Sequence, residues 1–380
     1  AFQNMGVDNA TAMGGENLAA MMETMGAEMM GNLGGEQIFE VAGAMSGEHF
    51  MMMESDAAFG MFDAMGSDVA LGMEAGQLAG MFGAMDGNMM ADMAPEFMVE
   101  AAVMMSFDDL KGMDGDSALG MFDAMGGADV VLTSMEGDQL AGMFAAMEGD
   151  QLVSLGGDGL VEAFGTMGTD NVTNMGGENL AEMFSAMGGE GLTQLDPSDL
   201  QDAAMAMEGA NMRGLEPDAA ASMIETIGLE NAAEAFNGDQ LGGIIGALDA
   251  GQIGEILTVD VLLDATEKMT IDHFHNVGGD QAIAIVDTLG VDQVLDLGGE
   301  QVAGMFAAME GPQLESLGSS VVAEALLSMG TDNAIEMGPA NIAEIVDSLA
   351  VTDMGTVGGG VLVDLAGVMT GEALSDLSPE

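Results

Sequence analysis

The chain repeats itself every 20 residues, and that period constrains its fold more than any other feature. Equivalent apolar positions fall at Met13, Leu33, Met53, Met73, Met93, Met113, Met135, Leu155, Met175, Leu195, Leu215, Phe236, Leu257, Val277, Leu297, Leu317, Met337 and Val357. The spacing departs from 20 only after Met113, where it is 22, and after Leu215 and Phe236, where it is 21. A chain of about eighteen such units needs no single closed core, because each unit can bury its apolar stripe against its neighbours. Residues 1–380 therefore read as one continuous array.

The unit from Met175 to Gln194, MGGENLAEMFSAMGGEGLTQ, shows what each copy builds. With Met175 as position 1, large apolar residues stand at positions 6, 9, 10 and 13 (Leu180, Met183, Phe184, Met187). That is the i, i+3, i+4, i+7 pattern of an amphipathic helix. Position 4 is usually acidic, as at Asp138, Asp158, Glu178, Asp280 and Glu300, where a carboxylate can cap free N–H groups and meet the positive helix end. Glycine after position 13 suits a left-handed C-terminal cap. A second short segment, GEGLTQL, carries apolar residues at positions 18 and 21 and predicts one further turn of helix. Period-2 alternation is missing and the Gly-Gly pairs sit at turns, which argues against a β-solenoid. The prediction is an all-α fold, an α-solenoid or superhelix of about eighteen 20-residue repeats of short helix pairs. Phe2 and Met5 align with Phe184 and Met187, and the run from Leu377 to Glu380 aligns with that from Leu195 to Ser198, so both ends fall inside a repeat. The expectation is a segment of a longer repeat protein or of an end-to-end filament.

Charge narrows the partners. Lys111, Arg213 and Lys268 are the only basic residues against 65 acids, a formal net charge of −62. Binding polyphosphate requires Lys and Arg to displace counterions, so nucleic acid is not an expected partner. Because 48% of the residues are hydrophobic, the composition is not that of a disordered polyanion. No run of 18 apolar residues occurs, so no membrane span is expected. Cysteine is absent, which removes disulfides and thiolate chemistry. Charge and the missing cysteines together point to an extracellular or cell-surface location, with the periplasm as the alternative.

Several residue types could carry chemistry. The 43 methionines suggest Cu(I), for which thioethers are soft ligands. Position 13, however, becomes Ile227, Leu248, Leu289 and Leu349, and position 9 becomes Ile244, Ile285 and Leu365. A core residue tolerates that exchange and a ligand does not, so these methionines read as core. Met51, Met52 and Met53, with Met29 and Met30, form the one off-phase cluster. Stacked position-4 carboxylates would form a ladder, with Asp138, Asp158, Glu178, Asp280 and Glu300 as candidate ligands for Ca²⁺ or Mg²⁺. No EF-hand loop is present; the run MDGDSALGM at Met113 lacks the third acid and the bidentate Glu. His49, His273 and His275 are the only histidines, too few to supply a nucleophilic triad. No phosphate-cradling glycine motif is followed by Lys, and enzymatic activity is not expected. In LAGMFGAM at Leu78, LAGMFAAM at Leu140 and VAGMFAAM at Val302, the face away from the large stripe is built of Gly and Ala. Gly80, Gly83, Gly142, Ala145, Gly304 and Ala307 are thus interface candidates, covered either by the adjacent short segment or by another chain.

Units such as GENLAEMFSAMGGEGL, set head to tail, resemble the acidic N-terminal superhelical domain of the magnesium transporter family, a solenoid of short helices that senses Mg²⁺. Gly and Met stand where that family has Pro-rich turns and Leu/Glu-rich helices, and no binding residue carries over. The resulting expectation is a non-enzymatic structural or interaction protein, an elongated acidic scaffold that self-associates or joins a larger assembly. A divalent-cation binding or sensing module is the alternative, followed by a methionine-rich copper protein.

Overall fold

A computed structural model of the chain describes residues 7–91 and 93–369. The aligned end residues Phe2, Met5 and Leu377 to Glu380 lie outside them. Among the described residues the chain is all-α, with 33 helices and no strand, in the paired arrangement of a helical-repeat solenoid. It divides into two compact units, Ala1–Met187 and Gly188–Glu380.

Within each unit long and short helices alternate. In the first, Ser55–Met65, Ala75–Gly83, Pro95–Met104, Gly115–Met125 and Gly137–Ala146 are each followed by a helix of four to seven residues, such as Ser67–Ala70, Phe107–Lys111 or Gly149–Leu155. In the second, Pro217–Ile227, Gly238–Ala247, Val259–Lys268, Gly279–Leu289 and Gly299–Ala307 alternate in the same way with Leu229–Ala235, Ala250–Ile256, Ile271–Phe274, Val291–Leu295 and Gly311–Leu317. Each of these long helices starts at position 3, which is Gly or Pro in seven of the ten and Ser55, Ala75 or Val259 in the others. Proline there is preset for a first turn whose N–H groups have no helical partner.

The apolar stripe becomes the core. Position-9 Met61, Met81, Met121, Met143, Met183, Met223 and Met305 are wholly buried. The position-10 rings beside them pair with one another: Phe62 and Phe82 have centroids 6.2 Å apart, and Phe122 meets Phe144 edge-on at 6.1 Å; Phe97, at position 5, lies 5.1 Å from Phe62. Burying such a side chain contributes about 1.5–3 kcal/mol, which is why helices too short to persist alone are held here. In the off-phase cluster Met30 and Met53 are buried, while Met29, Met51 and Met52 are exposed.

Two expectations are corrected. Packing is not confined to adjacent units: the short helix of one unit lies on the long helix two units later. Gly47–Met51 packs on Ala75–Gly83, Phe107–Lys111 on Gly137–Ala146, Gly209–Arg213 on Gly238–Ala247, and Ile271–Phe274 on Gly299–Ala307. A short helix cannot cover a three-turn stripe by itself, so the stripe is closed from two directions. The glycines after position 13 also differ from the predicted left-handed cap. Gly126 adopts it (φ 111, ψ 15), but Gly66 (φ 77, ψ 153), Gly168 (φ 74, ψ 150) and Gly290 (φ 83, ψ 146) combine positive φ with extended ψ. Each of these residues ends one helix and starts the next, a conformation that essentially only glycine adopts.

Candidate functional site

The most constrained polar groups lie where a long helix begins against the end of the long helix two units earlier. Position 5, the third residue of the helix, is glutamine at Gln77, Gln139 and Gln240, and all three side chains are buried. Each uses both ends of its amide. Oε1 of Gln139 accepts from the backbone N–H of Glu136 at 3.1 Å, while Nε2 donates to the carbonyls of Val103 and Met105, both at 2.8 Å. Gln77 repeats this with Glu74 and Met45, and Gln240 with Asn237 and Met207. Gln281 donates to Leu248 and Gln301 to Met269. Ser117 does so through its hydroxyl, which donates to Met85. One side chain thus satisfies a free N–H at one helix start and free carbonyls at another helix end. Asparagine is one methylene too short: Asn17, Asn179 and Asn341 bond only to the carbonyl four residues back. Glutamine recurring at position 5 was the sequence signal for these ties, and stripe and charge reasoning passed over it.

The position-4 acids are not caps. The capping residue stands at position 2, where Asp114 accepts from Ser117 N–H, Asp196 from Ser198 N–H, and Thr258 from Val261 N–H. Hydrogen bonds from Ser198 hold the Asp196 carboxyl below the usual carboxylate range. Asp138, Asp158, Glu178, Asp280 and Glu300 instead lie in the first helical turn and are exposed. Some acids at this position tie units together: Asp280 accepts from Gln313 Nε2 at 3.0 Å and Asp116 from Gln151 Nε2 at 2.7 Å. Asp239 accepts from Gly209 N–H at 2.7 Å and from Asn276 Nδ2 at 3.0 Å. Among the described residues no group of three His, Asp or Glu side chains is placed to hold a metal ion. Two acidic clefts are open, one of about 590 Å³ with Asp86, Asp114, Asp116 and Asp123 on its walls, the other of about 680 Å³ with Glu230, Glu234, Asp260, Asp264 and Glu267. Burial, and then the charges of Glu178 and Glu148, push the Glu182 carboxyl above its ordinary range, against a lowering hydrogen bond from Gly149.

All three cations find backbone oxygen at helix ends. Lys111 Nζ donates to Met175 O at 3.2 Å and lies 5.4 Å from the Phe107 ring centre. Arg213 donates to His275 O at 2.9 Å, and Lys268 donates to Ala233 O and Glu234 O. These carbonyls lie at or just past the C-terminal ends of helices, where the dipole favours positive charge.

Three of the interface candidates, Gly80, Gly142 and Gly304, are covered from within the chain, the first of the two expected arrangements. A Cβ on Gly80 would overlap the backbone of Gly47, one on Gly142 would come 2.5 Å from Phe107 O, and one on Gly304 would come 2.5 Å from the Phe274 ring. The covering element is the short helix two units earlier, not the adjacent one. Ala145 is buried and Ala307 half-buried, and Gly83 leaves ordinary contact distance to Met51 and Met113.

These features define an all-α helical-repeat protein. No family model matches the chain, and no curated protein matches it. Among solved structures, an engineered protein from a structural genomics consortium is similar over 96% of this chain and 94% of its own, at 16% identity and a TM-score of 0.37. A likeness that slight carries no inference about function. No single described helix is long and apolar enough to cross a membrane.

Proposed function

We propose that this chain is a non-enzymatic structural or interaction protein, an acidic repeat scaffold that presents one surface motif many times and joins a larger assembly. The observation that supports this reading is the register of the surface acids: position-4 carboxylates recur on the first turn of successive long helices and face solvent. Repetition of a weak contact raises total affinity through effective concentration, so a partner engaging several units would bind far more tightly than one unit allows. A basic protein fits that surface directly, and further copies of the chain only with cations screening the acids; nucleic acid does not fit it. A chain with net charge −62 is self-repelling, and an extracellular, cell-surface or periplasmic setting that supplies cations suits it. Sedimentation velocity of the full chain over a range of concentration and salt, with electron micrographs of the same samples, tests the reading. Concentration-dependent growth into regular fibres or defined oligomers is expected for self-assembly. A monomer under every condition, with no binding to basic proteins, would overturn the proposal.

The acidic clefts favour a second reading, binding or sensing of Ca²⁺ or Mg²⁺. A rise in melting temperature with millimolar divalent salt, beyond that from monovalent salt of equal ionic strength, is its expected sign.

A further inference from the structure

Two of the three histidines occupy one register of the repeat, and in each the bond from the N-cap backbone N–H requires an unprotonated Nδ1. His49 and His273 both stand at position 17, third in the short helices Gly47–Met51 and Ile271–Phe274. In each, Nδ1 accepts from the backbone N–H of the N-cap residue: Ser46 N–H at 2.9 Å and Thr270 N–H at 3.1 Å. In other units glutamine fills position 17 and performs the same task, Gln151 for Glu148, Gln252 for Asp249 and Gln313 for Glu310. The exchange of an amide oxygen for an imidazole nitrogen matters because the nitrogen acceptor disappears on protonation.

We infer that His49 and His273 are pH-sensitive capping residues that loosen their short helices, and with them the contact two units on, when the imidazoles protonate. An imidazolium presents N–H at both nitrogens, so Nδ1 would face the N-cap N–H donor to donor; at His49 the Ser46 hydroxyl, 2.7 Å from Nδ1, could then accept from it, but the bond from the Ser46 N–H is lost. Each ring also lies against the first residue of the preceding unit's long helix: a Cβ on Gly15 would come 2.5 Å from His49 Cε1, and one on Gly238 2.5 Å from His273 Nδ1. The positive ends of two helices therefore meet at the ring. The short helices concerned are the ones whose backbone closes on Ala75–Gly83 and Gly299–Ala307.

The elements packed against the two rings carry both acids and a base. His49 has Glu48 on its own helix, Glu16, Glu23 and Glu28 on Gly15–Met30, and Glu74 capping Ala75–Gly83. His273 has Asp272 and His275 on its own turn, Asp239 on Gly238–Ala247, Glu300 on Gly299–Ala307, and Lys268, whose ammonium donates to Ala233 O. Carboxylates predominate among these groups; what protonation removes is the cap. The sign follows: the capping bond is present while the ring is neutral and is lost as pH falls and the ring gains its second proton. His275 serves as an internal control. Its Nδ1 lies 3.1 Å from Asp272 O, a carbonyl that can only accept, so that bond survives in either charge state.

Hydrogen exchange of the full chain at about pH 7.5 and about pH 5.5, corrected for intrinsic rates, tests the inference. Protection at 46–51 and 270–274 is expected to fall about ten-fold in acid, the scale of a lost N-cap, while 149–155, held by Gln151, keeps its protection. His49→Gln with His273→Gln should abolish the fall, and His275→Gln should leave it in place. The same fall in the double variant, its loss in His275→Gln, or no fall in the parent chain would each overturn the inference. ¹⁵N spectra at about pH 7.5 provide a check independent of the variants: His49 and His273 are expected as the Nε2–H tautomer, and Nδ1–H signals would overturn it equally.

Discussion

Residues 53–72 and 93–112 carry the same repeat and join its two helices differently. After Ser55–Met65 the single residue Gly66 (φ 77, ψ 153) turns the chain, and Ser67–Ala70 starts at once and packs back on Gly35–Ala42 of the preceding unit. After Pro95–Met104 two extended residues intervene, Met105 (φ −82, ψ 145) and Ser106 (φ −84, ψ 171), before Phe107–Lys111. That joint leaves Val103 O and Met105 O open for Gln139 and sets the Phe107 backbone on Gly142. The residue at position 14 thus selects whether a short helix turns back or reaches forward. Glycine gives the tight joint, and serine gives a capped helix start on which a later unit is anchored.

The largest break in this comparison should come from Gly142→Val, which places atoms against Phe107 O. A loss of about 3 kcal/mol is expected from overpacking, read by denaturant unfolding. Gly165→Ala, at a helical glycine with nothing within 4 Å of its would-be Cβ, should instead gain up to about 1 kcal/mol from helix propensity. Next comes Gly66→Ala, expected to cost about 1–2 kcal/mol because the joint keeps its positive φ; Ser106→Gly at the capped joint should cost only about a few tenths. Gln139→Ala should lose about 1 kcal/mol and expose the amides of both tied helices to hydrogen exchange. Gln139→Asn should be no better, since its side chain stops short of Met105 O.

The smallest effect concerns charge. The Glu182 carboxyl is raised in the folded chain, so its ionised form opposes folding: the penalty is absent below the unfolded-state carboxylate range and complete above the folded value. Glu182→Gln should raise the melting temperature slightly at neutral pH, and the gain should vanish in acid. A gain that persisted at low pH would show that something other than charge was removed.

Much of this was legible in the chain itself. Met183, Phe184 and Met187 recur with helical spacing, and the exchange of position 9 for Ile244 or Ile285 marks a core whatever lies opposite. The alternation of a long and a short helix follows from local chemistry: Gly or Pro at position 3 in most units, an apolar stripe of three turns, and a glycine or a polar cap at position 14. Such signals act within a few residues and need no knowledge of neighbours.

Tertiary structure decided what each surface meets. Position-4 acids look like caps until the capping position is seen to lie two residues earlier, which leaves Asp280 and Asp116 to accept from glutamines of the next unit. The small faces at Gly80, Gly142 and Gly304 look equally suited to another chain or to this one; the short helix two units back takes them. A 20-residue period specifies the unit but not the reach of its contacts, because unit n+1 and unit n+2 present the same pattern. The joint at position 14 turns the short helix toward one or the other, and which surface it then meets is decided by the packing of the helices.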